Sequence, residues 1–128
     1  METYAIRLKP DQDLKEELKR FTKSNNIKSG FILTGIGSLK KAVIRTSNTD
    51  IKEFNELFEI NGINGTLSLD GIHVHINIAD KNGHSFGGHL KEGCIIHTTA
   101  EIIIGTSKDF EFTREFDNKT RFKELQIK

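Results

Sequence analysis

Residues 72–79 alternate without a break, Ile72, Val74, Ile76 and Ile78 against His73, His75, Asn77 and Ala79, and this strict period of two is that of a half-buried β-strand. After Asp80, the run Lys81-Asn82-Gly83 carries turn chemistry, with Asn-Gly supplying the positive φ of a tight reversal. The chain is therefore predicted to run back from His84 to Leu90 as the second strand of a hairpin. The alternation places His73 and His75 on the same polar face, about 6.6 Å apart along the strand at about 3.3 Å per residue. The return brings His89 towards the start of the preceding strand, near both. Gly87 and Gly88 carry no side chains to block the approach and let the backbone bulge so that the third ring can be aimed.

Three converging imidazoles form a candidate metal site. Imidazole nitrogens bind zinc at about 2.0–2.1 Å, and nickel, copper and iron suit the same donors. Three protein ligands leave a fourth position for water or substrate, the arrangement of open rather than structural zinc sites. The competing reading is three unrelated histidines on a solvated face. A lone His-x-His favours that reading; the third His placed opposite by the hairpin favours the metal.

The flanking sequence supplies a scaffold. Tyr4, Ile6 and Leu8 alternate with charged or small residues in a first strand that ends at Pro10, the only proline. Asp11 or Asp13 can cap a following helix, in which Leu14, Leu18 and Phe21 form one apolar stripe and pairs such as Glu16 with Arg20 a solvated face; Asn25 and Asn26 end it. Beyond residue 30 strands are predicted at 31–34, 42–46, 58–69, 72–79, 84–90, 95–104 and 110–116, with Leu125 and Ile127 in a short last one. Turns at Asn48-Thr49-Asp50, Asp70-Gly71 and Asn82-Gly83 make the sheet largely antiparallel. The expected fold class is α+β, a largely antiparallel sheet packed with one main helix.

The 128 residues are expected to form one domain, 1–128, large enough to bury a core without disulfides. Cys94, the single cysteine, lies between Gly93 and Ile95-Ile96 and reads as a small buried hydrophobe rather than a nucleophile or fourth ligand. No apolar run reaches the roughly 18 residues of a membrane span, and no signal peptide precedes the first strand, so a soluble, cytoplasmic protein without membrane contact is expected. The formal net charge of +1, with signs interspersed, lacks the footprint of a basic nucleic-acid-binding domain. DNA contact would have to come from a local patch or from several patches summed in an oligomer. Lys40, Lys41 and Arg45 form one such patch, and Lys119, Arg121 and Lys123 with Phe122 another; both read as solvated surface. Gly35-Ile36-Gly37-Ser38 lacks the Lys-Thr pair of a phosphate loop and is expected to be a tight turn. His84 and His97 read as surface residues.

Several motifs in order, Thr34-Gly35-Ile36-Gly37-Ser38-Leu39, Asn64-Gly65-Thr66-Leu67-Ser68, His73 through Asp80, Gly87-Gly88-His89-Leu90 with Gly93-Cys94, and Thr99-Ala100-Glu101-Ile102, resemble the signature of the plants-and-prokaryotes conserved (PPC or PCC) domain, formerly a domain of unknown function. The resemblance covers nearly the whole chain. It implies a compact homotrimer, a DNA-binding or regulatory role, and metal binding at the positions of His73, His75 and His89. In plants the same domain accompanies an AT-hook, whose Arg-Gly-Arg-Pro core this chain lacks.

The resemblance extends to the strand-borne histidines of acetolactate decarboxylase, which implies the alternative of a small zinc-dependent lyase or hydrolase. Such chemistry needs a proton carrier, and Glu101, set between Ala100 and Ile102 in an apolar strand, is the candidate catalytic residue. A paired structural carboxylate or a subunit contact is its other reading. Arg45 or Arg121 could bind an anionic substrate. A third role is a sensor, in which a small-molecule ligand completes the metal shell.

Overall fold

The computed structural model describes residues 1–128, and its backbone is mostly strand. In chain order the elements are β1 (Glu2–Leu8), α1 (Leu14–Ser24), β2 (Gly30–Arg45), β3 (Ile51–Phe54), β4 (Phe58–Ser68), β5 (Gly71–Ala79), β6 (Ser85–Leu90), β7 (Ile95–Thr106), β8 (Phe112–Phe116) and β9 (Lys123–Ile127). The α+β expectation, an antiparallel sheet with one helix, is met.

Seven strands form one sheet in the order β1-β7-β2-β4-β5-β6, with β3 on the far half of β2. All their pairings are antiparallel. The end of β2 also pairs with β6, Ile44 with Leu90 and Arg45 with His89. That second pairing closes β2, β4, β5 and β6 into a ring, with the apolar alternates inside. Val74, Ile76 and Ile78 of β5 are buried there with Leu39, Ile44, Ile60, Ile63, Leu90, Ile96 and Ile102.

Helix α1 covers part of the core with Leu14 and Leu18, both fully buried. Its start is fixed by Asp13, whose Oδ1 accepts from the Glu16 N–H at 3.1 Å while Oδ2 accepts from the Gly93 N–H at 2.7 Å. One side chain thus caps the helix and ties it to the loop before β7. On the helix surface the ion pairs are Lys19 with Glu16 and Arg20 with Glu17, one residue closer than the Glu16–Arg20 spacing expected. Asn25 is the C-cap, and Asn26 turns the chain at φ +51°.

Three sequence expectations change. Residues 35–38 are not a turn; they lie inside β2, which runs unbroken where two strands were expected. A Cβ on Gly37 would collide with the carbonyl oxygen of Thr99 and the Cα of Ala100, so this glycine serves the close approach of β7. β3 had no signal, because three of its four residues are exposed and no alternation marks them. Finally, β8 does not extend the main sheet but pairs with β9 as a separate two-stranded ribbon.

That ribbon is anchored beside β4 and β5. The Arg114 N–H donates to Asp70 Oδ2 at 3.1 Å, the Arg114 guanidinium to Thr66 Oγ1 at 3.0 Å, and the Phe112 N–H to the Lys28 carbonyl at 3.0 Å. Cys94 is buried, as expected. Its thiol donates to the Val43 carbonyl and its sulfur accepts from the Val43 N–H, both at 3.3 Å, and burial pushes its pKa up to about 11. No helix is long and apolar enough to cross a membrane.

Candidate metal centre

The hairpin folds as the sequence predicts. Asp80 Oδ1 accepts from the N–H groups of Asn82 and His84 at 2.9 and 3.0 Å, and Gly83 turns the chain at φ +81°. This sets the register of β5 against β6, in which His75 lies directly opposite His89. His73 stands two residues before His75 on the same outward face, opposite Thr66 of β4.

The three rings converge. Their centroids are 4.9 Å apart for His73–His75, 5.1 Å for His73–His89 and 5.5 Å for His75–His89. One ring nitrogen from each lies within 4.8 Å of the other two. Nε2 of His73 and Nε2 of His75 are 3.2 Å apart. A tetrahedral ion with bonds of about 2.0–2.1 Å separates its ligand atoms by about 3.3 Å, so this pair already has a ligand-to-ligand spacing. An all-imidazole donor set of this geometry fits a borderline-soft divalent transition ion.

Lost hydration and nearby positive charge lower the proton affinity of two of the rings, His89 and His73. His89 is half-buried, and its pKa falls to about 4, chiefly through loss of hydration and then through the positive charge of Arg45. His73 is lowered too, again first by lost hydration, then by His75 and Arg114, against a smaller opposing effect of Glu124. A ring that stays neutral keeps its lone pair for a ligand bond.

A cleft of about 270 Å³ opens beside the rings, lined by Arg45, Asp70, Gly71, Ile72, His73, His89, Arg114, Phe122, Lys123 and Glu124. Arg45 arrives through the β2–β6 pairing, its Nη2 at 3.5 Å from Nδ1 of His89 and its guanidinium 5.1 Å from the centre of the Phe122 ring. Arg114, Phe122, Lys123 and Glu124 come from the β8–β9 ribbon and the turn within it. Sequence reasoning did not associate Arg114 or Glu124 with the site, since nothing local marks a ribbon that folds back over a strand 48 residues earlier, as Arg114 does onto Thr66.

The other sequence candidates lie elsewhere. Glu101 is exposed on β7, opposite Arg7 of β1 and Ile36 of β2, on a strand that does not neighbour β5 or β6. Its exposure removes the desolvation cost expected of it. Arg121 sits at φ +67° with its guanidinium 5.2 Å from the Phe116 ring centre, outside the cleft lining. His84 is exposed in the hairpin turn, 3.7 Å from Asp80, and His97 is exposed on β7.

Comparison with known proteins extends the picture beyond this chain. It is 41% identical over 128 residues to the bifunctional protein GlmU of Synechococcus sp. strain JA-3-3Ab, covering 99% of this chain but 21% of that protein. The chain thus spans about a fifth of the length of the curated relatives it matches. Among solved structures it superposes on a hypothetical protein from Salmonella enterica with a TM-score of 0.95 at 32% identity, over 99% of this chain and 93% of that one. A candidate DNA-binding protein from Bacteroides thetaiotaomicron shares the fold at a TM-score of 0.89 and 23% identity, over 97% and 91% of the two chains. A metal-containing protein from Archaeoglobus fulgidus does so at 0.82 and 24%, over 98% and 94%. The model of the Plants and Prokaryotes Conserved (PCC) domain matches residues 1–108, and with the ordered motifs and the fold in agreement, the chain belongs to the PCC domain family.

Proposed function

We propose that this chain is a metal-binding PCC-domain protein in which His73, His75 and His89 would hold a divalent transition ion, zinc first, beside the cleft of Arg45 and Arg114. The observation that carries this reading is the convergence of three imidazoles, one nitrogen from each within 4.8 Å of the others. The depressed pKa values of His73 and His89 support it, because protons do not compete for those rings at neutral pH. When bound, an ion at an open three-histidine site acts as a Lewis acid and lowers the pKa of a coordinated water to about 7.

A role in DNA binding is the reading favoured by the fold neighbours, since the Bacteroides protein is described as a candidate DNA-binding protein, and a regulatory role is what the family resemblance adds. With a net charge of +1, affinity for a duplex would come from patches summed in an assembly, and a homotrimer is the assembly the family resemblance implies. Leu33 and Ile36 of β2, 48% and 52% exposed, offer apolar surface for contact between copies. In the alternative reading, a small zinc lyase or hydrolase, Glu101 would act from outside the cleft of its own chain, whereas Glu124 lines that cleft beside His73. A small-molecule sensor needs the same open position and no proton carrier.

Metal content measured by mass spectrometry on untagged, natively purified protein tests the central point. Near one zinc per wild-type chain, and none when His73, His75 and His89 are all replaced by Ala, is the expected result. Equal metal in both proteins, or none in either, overturns it.

A further inference from the structure

The cleft beside the imidazoles is lined by more cationic than anionic side chains, and its two arginines form no ion pair. Arg45, Arg114 and Lys123 line it against Asp70 and Glu124. The Asp70 carboxylate is taken up by the backbone N–H of Arg114 rather than by a guanidinium. Neither arginine forms an ion pair: those of the chain join Lys15 and Lys19 to Glu92, Lys19 to Glu16, Arg20 to Glu17, Lys40 to Asp11, Lys41 to Glu53 and His84 to Asp80.

Both arginines are nevertheless half-buried and held in place. Arg45 lies over the Phe122 ring, and Arg114 donates one N–H to Thr66 Oγ1. Apart from that bond and the 3.5 Å approach of Arg45 to His89, their guanidinium N–H groups make no hydrogen bonds within the chain. A partly desolvated guanidinium without a carboxylate leaves its desolvation cost uncompensated, and its planar fork matches two oxygens of a carboxylate or phosphate. At about 270 Å³ the space suits a compact solute, just below the roughly 300–1,000 Å³ of drug-sized ligand pockets.

We propose that this cleft binds a small oxyanion, a carboxylate or phosphate held between Arg45 and Arg114 beside the three histidines. This deepens the metal-centre reading and rests on it for the identity of the neighbouring ion, while the arginine clamp itself requires no ion. The anion is thus the substrate or effector class for the site. Its selectivity belongs to the C-terminal ribbon, because Arg114, Phe122, Lys123 and Glu124 all follow residue 108, where the match to the family model ends.

Calorimetric titration of inorganic phosphate and of oxalate into the full chain tests this, first after chelator treatment and then after zinc loading. At least one of the two is expected to bind wild type. Binding should weaken at least about tenfold in Arg45→Gln and in Arg114→Gln, the loss of one charge-assisted contact, and remain unchanged in Lys81→Gln on the hairpin turn. Arg114→Lys, which keeps the charge without the fork, should fall between wild type and Arg114→Gln, and it serves if the Gln variant fails to fold. Arginine dependence in either metal state supports the clamp. No binding of either anion, or binding indifferent to both arginines, overturns it. Displacement of the bound anion by duplex DNA at micromolar concentration would make the site a contact for nucleic-acid phosphate and overturn the small-solute assignment. The two readings fail separately: anion binding without zinc uptake sinks only the metal, and zinc uptake with arginine-indifferent titrations sinks only the clamp.

Discussion

Arg45 and His89 are cross-strand partners at the point where β2 meets β6, and the Arg45 Nη2 stands 3.5 Å from the His89 Nδ1. A fixed cation thus faces a titratable ring and adds to the loss of hydration that lowers its pKa, so the metal-free protein carries an acid-sensitive group at this seam.

His89 has a folded pKa of about 4, against roughly 6.5 for an unfolded histidine. Between those values the unfolded chain binds a proton that the folded chain refuses, so stability falls as pH drops from about 6.5 to 4 and this contribution levels off below. Chelator-treated wild type should show that loss in denaturant melts across the window. His89→Gln should show a shallower dependence, and a profile as steep as wild type would contradict the assignment.

Removing one ligand tests cooperation among the rings. His75→Ala leaves two donors, and the zinc dissociation constant should rise by more than the ~10- to 100-fold that follows loss of an outer-shell partner. Competition with a chromophoric chelator measures the change, and wild-type affinity in the variant would exclude His75 as a ligand.

A Cβ on Gly87 would run into the carbonyl oxygen of Ile76 across the hairpin. Gly87→Ala should therefore destabilise the fold by about 1–3 kcal/mol, as overpacking does, and displace His89 two residues on. Thermal melts combined with zinc affinity read both effects, and a variant with unchanged melting and unchanged affinity would refute the close approach.

Asp13 makes two bonds with one carboxylate, to the N–H groups of Glu16 and Gly93. Asp13→Ala should cost about 2 kcal/mol, towards the top of the range for a lost helix cap, because the second bond goes with the first. Asp13→Asn keeps an acceptor for one of them and should cost less. Urea denaturation gives the comparison.

The Cys94 thiol, pushed up to about 11 and bonded to both polar groups of Val43, should resist alkylation in the native state. Iodoacetamide labelling near pH 8 is expected to follow global unfolding, so that denaturant raises labelling and unfolding together. Rapid labelling of folded protein would show that the thiol is accessible.

The hairpin was legible in the sequence because its information is local: alternation marks β5, Asn82-Gly83 marks the turn, and together they set the register that brings His89 opposite His75. The helix was legible for the same reason, through Asp13 and the Leu14–Leu18 stripe. The Gly35–Ser38 segment was misread as a turn because glycine has two uses, φ freedom and close approach, and only the neighbouring strand at Thr99 tells them apart. Arg114 and Glu124 escaped notice because their place depends on a ribbon attached through Asp70 and Thr66, contacts of long sequence separation with no local mark. Glu101 drew attention as an acidic residue in an apolar run, yet its side of β7 is the exposed one.

The dual pairing of β2 has a kinetic corollary. Gly30 at one end is matched to Thr106, and Arg45 at the other to His89, so a single strand must find partners 76 and 44 residues further on before the sheet is complete. Contacts of such separation are won late and slowly along a folding trajectory. The hairpin of residues 71–90 brings His75 and His89 together through local pairing, whereas Arg45 joins them only through the β2–β6 pairing, so the charged wall of the cleft exists only once that pairing has formed.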